Sequence, residues 1–170
     1  MNDNFTDVEL TTEAKRLGRL YPIVLEKHNP EWKTWYEKEK TFLFSIFGDT
    51  VLRISHIGST AVPGLIAKPT VDILLEIKEN TDLLAITVTL TENGYIVNRP
   101  QNDLIMFIKG YGENGFEEQV YHIHVRSLGD YSELYFRDYL RIHPEAAKEY
   151  GELKMLLKER FEHDRDGYTA

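Results

Sequence analysis

The sequence predicts an α+β domain, on three observations. Residues 51–57, 70–77 and 118–127 are β-rich runs, and in the last two apolar side chains alternate with polar ones. A period of two belongs to strands with two unlike faces. Between residues 32 and 47 the aromatics Trp32, Trp35, Tyr36, Phe42 and Phe47, with Leu43 and Ile46, fall on one helical stripe. From residue 135 onward the pattern is helical, so the last third reads as helices. A chain of 170 residues, 42% hydrophobic and 28% charged, suits one soluble domain over residues 1–170. Residues 1–15 are expected to be loosely ordered.

Charge and composition narrow the partners. A net charge of -8 gives no help from a nucleic-acid backbone, so DNA or RNA is not expected as a main partner. There is no cysteine, hence no disulfide and no thiolate chemistry. The start MNDNFTDVEL has neither a basic nor an apolar segment, and no apolar run approaches the ~18 residues of a membrane span. The expectation is a cytoplasmic protein with no membrane partner.

In chain order, residues 20–26 suggest a short strand that Pro22 places on an edge. Asn29 can cap, and Pro30 suits the start, of the aromatic helix that ends at Gly48. Residues 51–57 form a central strand, neighbour to 70–77, in which His56 shares a face with Leu52 and Ile54, so it reads as a satisfied histidine near the core. After Ile77, Asn80 or Thr81 can cap a helix closed by Asn93-Gly94. Residues 95–98 are extended and residues 104–108 form a strand. Residues 110–115, GYGENG, form a turn, so 118–127 returns antiparallel. Residues 135–143 form a helix, and Pro144 opens the final one, with Ala146, Tyr150, Leu153, Leu157 and Phe161 as its apolar stripe.

The stretch 56–76, HIGSTAVPGLIAKPTVDILLE, organises the chemistry. A strand feeds into Gly58-Ser59-Thr60. A turn follows, then a second strand with Val71, Ile73, Leu75 and Ile77 on one face. Thr70, Asp72, Leu74 and Glu76 lie on the other. An acid is thus held close after a Gly-Ser turn whose N–H groups suit an anion, a pairing that suggests phosphate chemistry with a metal. In the third strand Val120, His122, His124 and Arg126 share a face opposite Tyr121, Ile123 and Val125. That face reads equally as a half-exposed sheet surface or as a site.

These stretches resemble the GrpB family. The resemblance rests on Asn29-Pro30-Glu31-Trp32, on the block from His56 to Leu65, and on Ala67-Lys68-Pro69 with Asp72-Ile73. It continues in His122-Ile123-His124-Val125, in FRDYLR from Phe136 to Arg141, in His143-Pro144-Glu145, and in Glu149-Tyr150 with Leu153-Lys154. It implies a nucleotidyltransferase-like fold, a small mixed sheet with helices packed mainly on one face, and another short helix where the chain ends, soon after Tyr168, so that a trimmed terminus is expected. In that fold a Gly-Ser turn precedes two acids on the next strand. Asp72 matches the first, while Leu74 stands where the second belongs. The His122–His124 strand takes the place of the neighbour that supplies a third acid.

Three readings follow. The first is a nucleotidyl- or phosphotransferase of altered metal chemistry. Gly58, Ser59, Thr60, Lys68 and Arg126 would hold a nucleotide or phosphorylated metabolite. Asp72, Lys68, Arg137 and Arg141 would serve catalysis. The second is a module that binds the same ligand without turnover. The third is a metal-dependent hydrolase. The expected cofactor is a divalent metal, Mn, Zn or Mg, on Asp72, His122, His124 and Glu76. Against these, Lys68 reads equally as a loop lysine in water, and Arg137 and Arg141 as an i,i+4 pair on a solvated helix face.

Overall fold

The computed structural model describes residues 11–101 and 104–170. Most of the segment expected to be loose therefore lies outside the described residues, but from Thr12 the chain is helical. Helix α1 (Thr12–Leu20) starts where Thr11 Oγ1 accepts from the Ala14 N–H at 3.1 Å. Residues 20–26 do not form the expected edge strand. Pro22 has no N–H to give, and the Ile23 N–H is taken by the Glu162 carbonyl at 2.7 Å. Only Glu26 pairs, with Ala67.

Helix α2 (Glu31–Phe47) follows its aromatic pattern. Asn29 Oδ1 accepts from the Glu31 N–H at 3.0 Å, and Gly48 with φ 49° ends the helix. Trp32, Tyr36 and Leu43 are buried, and Trp35, Phe42, Ile46 and Phe47 pack against the same core.

Among the described residues, five strands form one mixed sheet: β1 (Val51–Ile57), β2 (Thr70–Ile77), β3 (Ile96–Gln101), β4 (Leu104–Gly112) and β5 (Gly115–Ser127). Their order is β1-β2-β5-β4-β3, with β2 and β5 parallel and the other neighbours antiparallel. β1 and β2 are neighbours, but β1 is an edge strand, not a central one. The parallel pair needs a long crossover. Helix α3 (Leu83–Glu92) with β3 and β4 supplies it and fills the far side of β5.

Two local expectations change for clear reasons. Asp82, not Asn80 or Thr81, caps α3, because its Oδ1 accepts from the Leu84 and Ala85 N–H groups at 2.9 and 3.3 Å. The expected turn at 110–115 is mostly strand. A bulge at Gly110 (φ 90°) lets β4 run on to Gly112, leaving residues 113–114 as the connection.

Val71, Ile73, Leu75 and Ile77 meet Tyr121, Ile123 and Val125 over α2 and α3. The opposite face of β2 is also covered, and Thr70, Leu74 and Glu76 are buried there while Asp72 stays partly open. The cover comes from the C-terminal third: α4 (Ser132–Ile142), α5 (Pro144–Phe161) and α6 (Arg165–Thr169). Helices therefore lie on both faces and not mainly on one as expected: α2 and α3 pack on one face, and α4–α6 close over the other beside the Gly-Ser turn, where Arg137 and Arg141 hold its carbonyls. The apolar stripe expected on α5 is rotated: Leu153 is exposed, and Gly151 and Lys154 are buried instead. Gly151 allows this, since even a Cβ there would stand 3.1 Å from Ile66.

His56 sits between α2 and the turn. Tyr36 stacks on its ring at 4.7 Å, and its Nε2 lies 2.9 Å from Thr60 Oγ1, which itself donates to the Thr70 carbonyl. Burial pushes the imidazole down to about 4, against the opposing pull of Asp72. The unfolded chain then binds the proton more readily, so stability is complete above pH 6.5 and falls as pH drops from 6.5 to about 4. Urea titrations should show a loss of about 3 kcal/mol across that window. His56→Gln should remove most of that slope.

Candidate functional site

Asp72 is the centre. Parallel register sets it opposite His122, and Leu74 opposite His124. All four side chains share one face, so both imidazoles reach back to one carboxylate oxygen. Asp72 Oδ1 lies 3.3 Å from His122 Nδ1 and 3.5 Å from His124 Nε2. Burial raises the Asp72 carboxyl, but the two imidazole hydrogen bonds outweigh it and hold the group far below the usual carboxylate range. The side chain is still 27% exposed.

A further chain fixes His122. Arg165 Nη2 donates to the Tyr111 hydroxyl oxygen at 3.0 Å, and that hydroxyl lies 2.8 Å from His122 Nε2. With its oxygen taken by Arg165, Tyr111 donates to Nε2, and Nδ1–H donates to Asp72. This tautomer is inferred from the network. Both nitrogens of His122 are then engaged, which leaves no lone pair for a metal. Among the described residues no group of three or more His, Asp or Glu side chains is arranged to hold a metal ion. Glu76 is not part of the group. It is tied to Arg53 and to the Gly129 N–H, four residues along β2 and roughly 13 Å from Asp72. Leu74, in place of a second acid, is fully buried.

The turn stands directly against Asp72. Gly58 has φ 72° and ψ -173°, and a Cβ there would lie 2.7 Å from Asp72 Oδ2. Ser59–Ala61 follows as a short 3-10 turn. Helix α4 anchors it: Arg137 Nη1 donates to the His56 carbonyl at 3.0 Å and Arg141 Nε to the Ala61 carbonyl at 2.9 Å. The two arginines are therefore neither a solvated pair nor aimed at a ligand, and they hold the turn's backbone. Arg126 is likewise elsewhere, bonded to Glu133 at 2.8 Å and lying over the Tyr131 ring.

Gly58, Ser59, Thr60, Lys68, Asp72 and His122 do come together, around a cavity of about 270 Å³. Its other wall is C-terminal. Tyr150 and Lys154 come from α5, and Tyr168 and Thr169 from α6. Lys154 donates to the Ile66 carbonyl and lies over the Tyr150 ring. Burial, and then the charge of Lys68, push it down to about 8. Lys68 is lowered by burial and partly restored by Asp72. Burial raises the Tyr150 hydroxyl, against a smaller opposing pull from Ser59. The Tyr168 hydroxyl is buried without a hydrogen-bond partner.

Sequence reasoning missed Lys154, Tyr111, Tyr150 as a wall, Tyr168 and Arg165. One signal existed: Lys154 follows Tyr150 by four, a helical neighbour on the same face. The others had none.

A mixed-sheet α+β domain with an acid facing a Gly-Ser turn is the class that fold and site define. The family model described as GrpB protein matches residues 22–170. The chain belongs to the GrpB family. It is 36% identical over 153 residues to glutamate-rich protein GrpB of Alkalihalophilus pseudofirmus, covering 86% of this chain and 87% of that one. It is 33% identical over 144 residues to UPF0157 protein YqkA of Bacillus subtilis (strain 168), covering 81% of this chain but 41% of YqkA. The chain thus spans less than half of that relative. A dephospho-CoA kinase of Mycolicibacterium paratuberculosis is 25% identical over 175 residues, covering 88% of this chain and 43% of the kinase. The crystal structure of conserved protein GrpB from Enterococcus faecalis superposes with TM-score 0.75 at 28% identity, covering 85% of this chain and 88% of that one. No helix among the described residues is long and apolar enough to cross a membrane.

Proposed function

We propose that the protein binds a nucleotide or phosphorylated metabolite in this cavity. The supporting observation is that α5 carries Lys154 into the space already bounded by Lys68, Ser59 and the Gly58 backbone. Two ammonium groups, a hydroxyl and a turn N–H suit a phosphate. They also offset Asp72, which alone would repel it. A divalent cation enters with the ligand and is not resident. One partly exposed carboxylate plus phosphate oxygens is a common way to hold Mg²⁺.

Binding without turnover is the reading this site supports best, in a nucleotidyltransferase-like fold. Two-metal transfer needs close bridging carboxylates, and Leu74 removes one. A hydrolase centred on the histidines loses its support, because both nitrogens of His122 are engaged. Nucleotidyl or phosphoryl transfer stays as the second reading. The relative named dephospho-CoA kinase favours it, since that name joins a nucleotide-derived substrate to phosphoryl transfer.

A thermal-shift screen of nucleotides and sugar phosphates, each with Mg²⁺, with Mn²⁺ and with EDTA, tests the proposal. Phosphorylated compounds should raise Tm and their unphosphorylated counterparts should not. Asp72→Asn should abolish the metal-dependent part of the shift and keep the rest. Ser59→Ala should weaken binding by about 1 kcal/mol. Equal shifts from nucleosides and nucleotides would contradict the reading.

A further inference from the structure

A second pocket, of about 240 Å³, adjoins the phosphate cavity and shares Lys68 and Thr70 with it. The two follow one another along the same parallel strands. Thr70 and Val120 line the second pocket, and Asp72 and His122, two residues on, line the first. Two strand residues span about 7 Å, a sugar's length. Helix α6 borders both, with Arg165 on one side and Tyr168 on the other.

The lining is chemically specific. Trp35 and Phe116 offer aromatic surface, with Pro22 and Val24 beside them. Besides Lys68, Arg165 and the Thr70 hydroxyl, the polar groups are the carboxylates of Glu26, Glu117 and Glu118. Aromatic side chains favour a flat ring. Ionised carboxylates are acceptors only, so the ring must bring donors. Arg165 lies over the Phe116 ring and donates to Tyr111, so it links this pocket to the His122 chain.

We propose that this pocket takes a planar nitrogen heterocycle with an exocyclic amino group, so that the ligand is a nucleoside phosphate of the adenine or cytosine type. The inference rests on the phosphate reading above and names the substrate class of the same site. Cytosine offers an amino donor where uracil of the same shape offers a carbonyl acceptor. The carboxylates select the first and leave the second facing an unpaired negative charge.

The test compares AMP, CMP, UMP and ribose 5-phosphate by calorimetry with the full chain. AMP and CMP should bind about tenfold or more tighter than ribose 5-phosphate, the scale of a base stacked on an aromatic side chain. CMP should also exceed UMP. The chain has two tryptophans: Trp32 is fully buried in the core and Trp35 lines the pocket. AMP and CMP should therefore change tryptophan emission, and ribose 5-phosphate should not. The triple variant Glu26→Gln/Glu117→Gln/Glu118→Gln should erase the preference for CMP over UMP. Phe116→Leu, with folding checked by circular dichroism, should lower AMP affinity and leave ribose 5-phosphate affinity unchanged. Ribose 5-phosphate binding as tightly as AMP, or UMP as tightly as CMP, overturns the inference and leaves the phosphate reading standing. Binding by none of the four overturns both.

Discussion

Gly58→Ala is expected to destabilise the protein by about 2–4 kcal/mol. At φ 72° and ψ -173° the backbone is in a region that glycine alone occupies readily. The added Cβ would also stand 2.7 Å from Asp72 Oδ2. Asp72 cannot swing away cheaply, because its other oxygen is held by His122 and His124. Urea denaturation measures the loss, and a cycle with Asp72→Ala separates the clash from the backbone strain. The clash share should vanish in the double variant. A Gly58→Ala protein within 0.5 kcal/mol of wild type would refute this packing. The same geometry changes what a bulkier Gly58→Val would report. Its side chain meets the carboxylate before it meets a ligand, so stability must be read before affinity.

The second large effect is a pH dependence carried by Lys154. A buried amine lowered to about 8 holds its proton below that pH and loses it above. Only the charged form attracts phosphate. The second ionisation of a phosphate monoester lies near pH 6. Above pH 7.5 the ligand is therefore constant and the protein alone titrates. Affinity for a phosphate monoester should fall roughly 10- to 100-fold between pH 7.5 and 9.5, the worth of one charged hydrogen bond. Lys154→Arg should flatten that profile, since a guanidinium stays charged. A wild-type profile already flat to pH 9.5 would place Lys154 outside the binding site.

The strands were legible where the signal was local. A β-rich run before Gly58, period-two patterning after Pro69 and the Gly-Pro punctuation between them give β1 and β2 their observed bounds. Matched alternation in β2 and β5 is enough to bring Asp72, His122 and His124 to one face. The edge position of β1 was not legible, because strand order depends on a crossover that no single segment encodes. Helix α1 was hidden for another reason: among its residues only Gly18 is buried, so it carries no apolar stripe. Glu76 shares a face with Asp72, and sequence cannot see that Arg53 and the Gly129 N–H have already claimed it. Arg137 and Arg141 look like charge for a ligand, yet the carbonyls they hold are tertiary neighbours. Lys154 gives no signal of its own, because charge on a helix usually faces water. Here Gly151 lets the helix approach Ile66 and turns that lysine inward.

In the proposed function Lys68 and Lys154 together make the cavity an anion site. Calorimetric titration of inorganic pyrophosphate at pH 7 into wild type and Lys68→Met/Lys154→Met tests it most directly, because this probe has no base or sugar to bind elsewhere. Two charged hydrogen bonds are worth about 3–6 kcal/mol together, so the double variant should lose 100-fold or more in affinity while staying folded. Equal affinity in the two proteins would remove Lys68 and Lys154 from any role in holding phosphate.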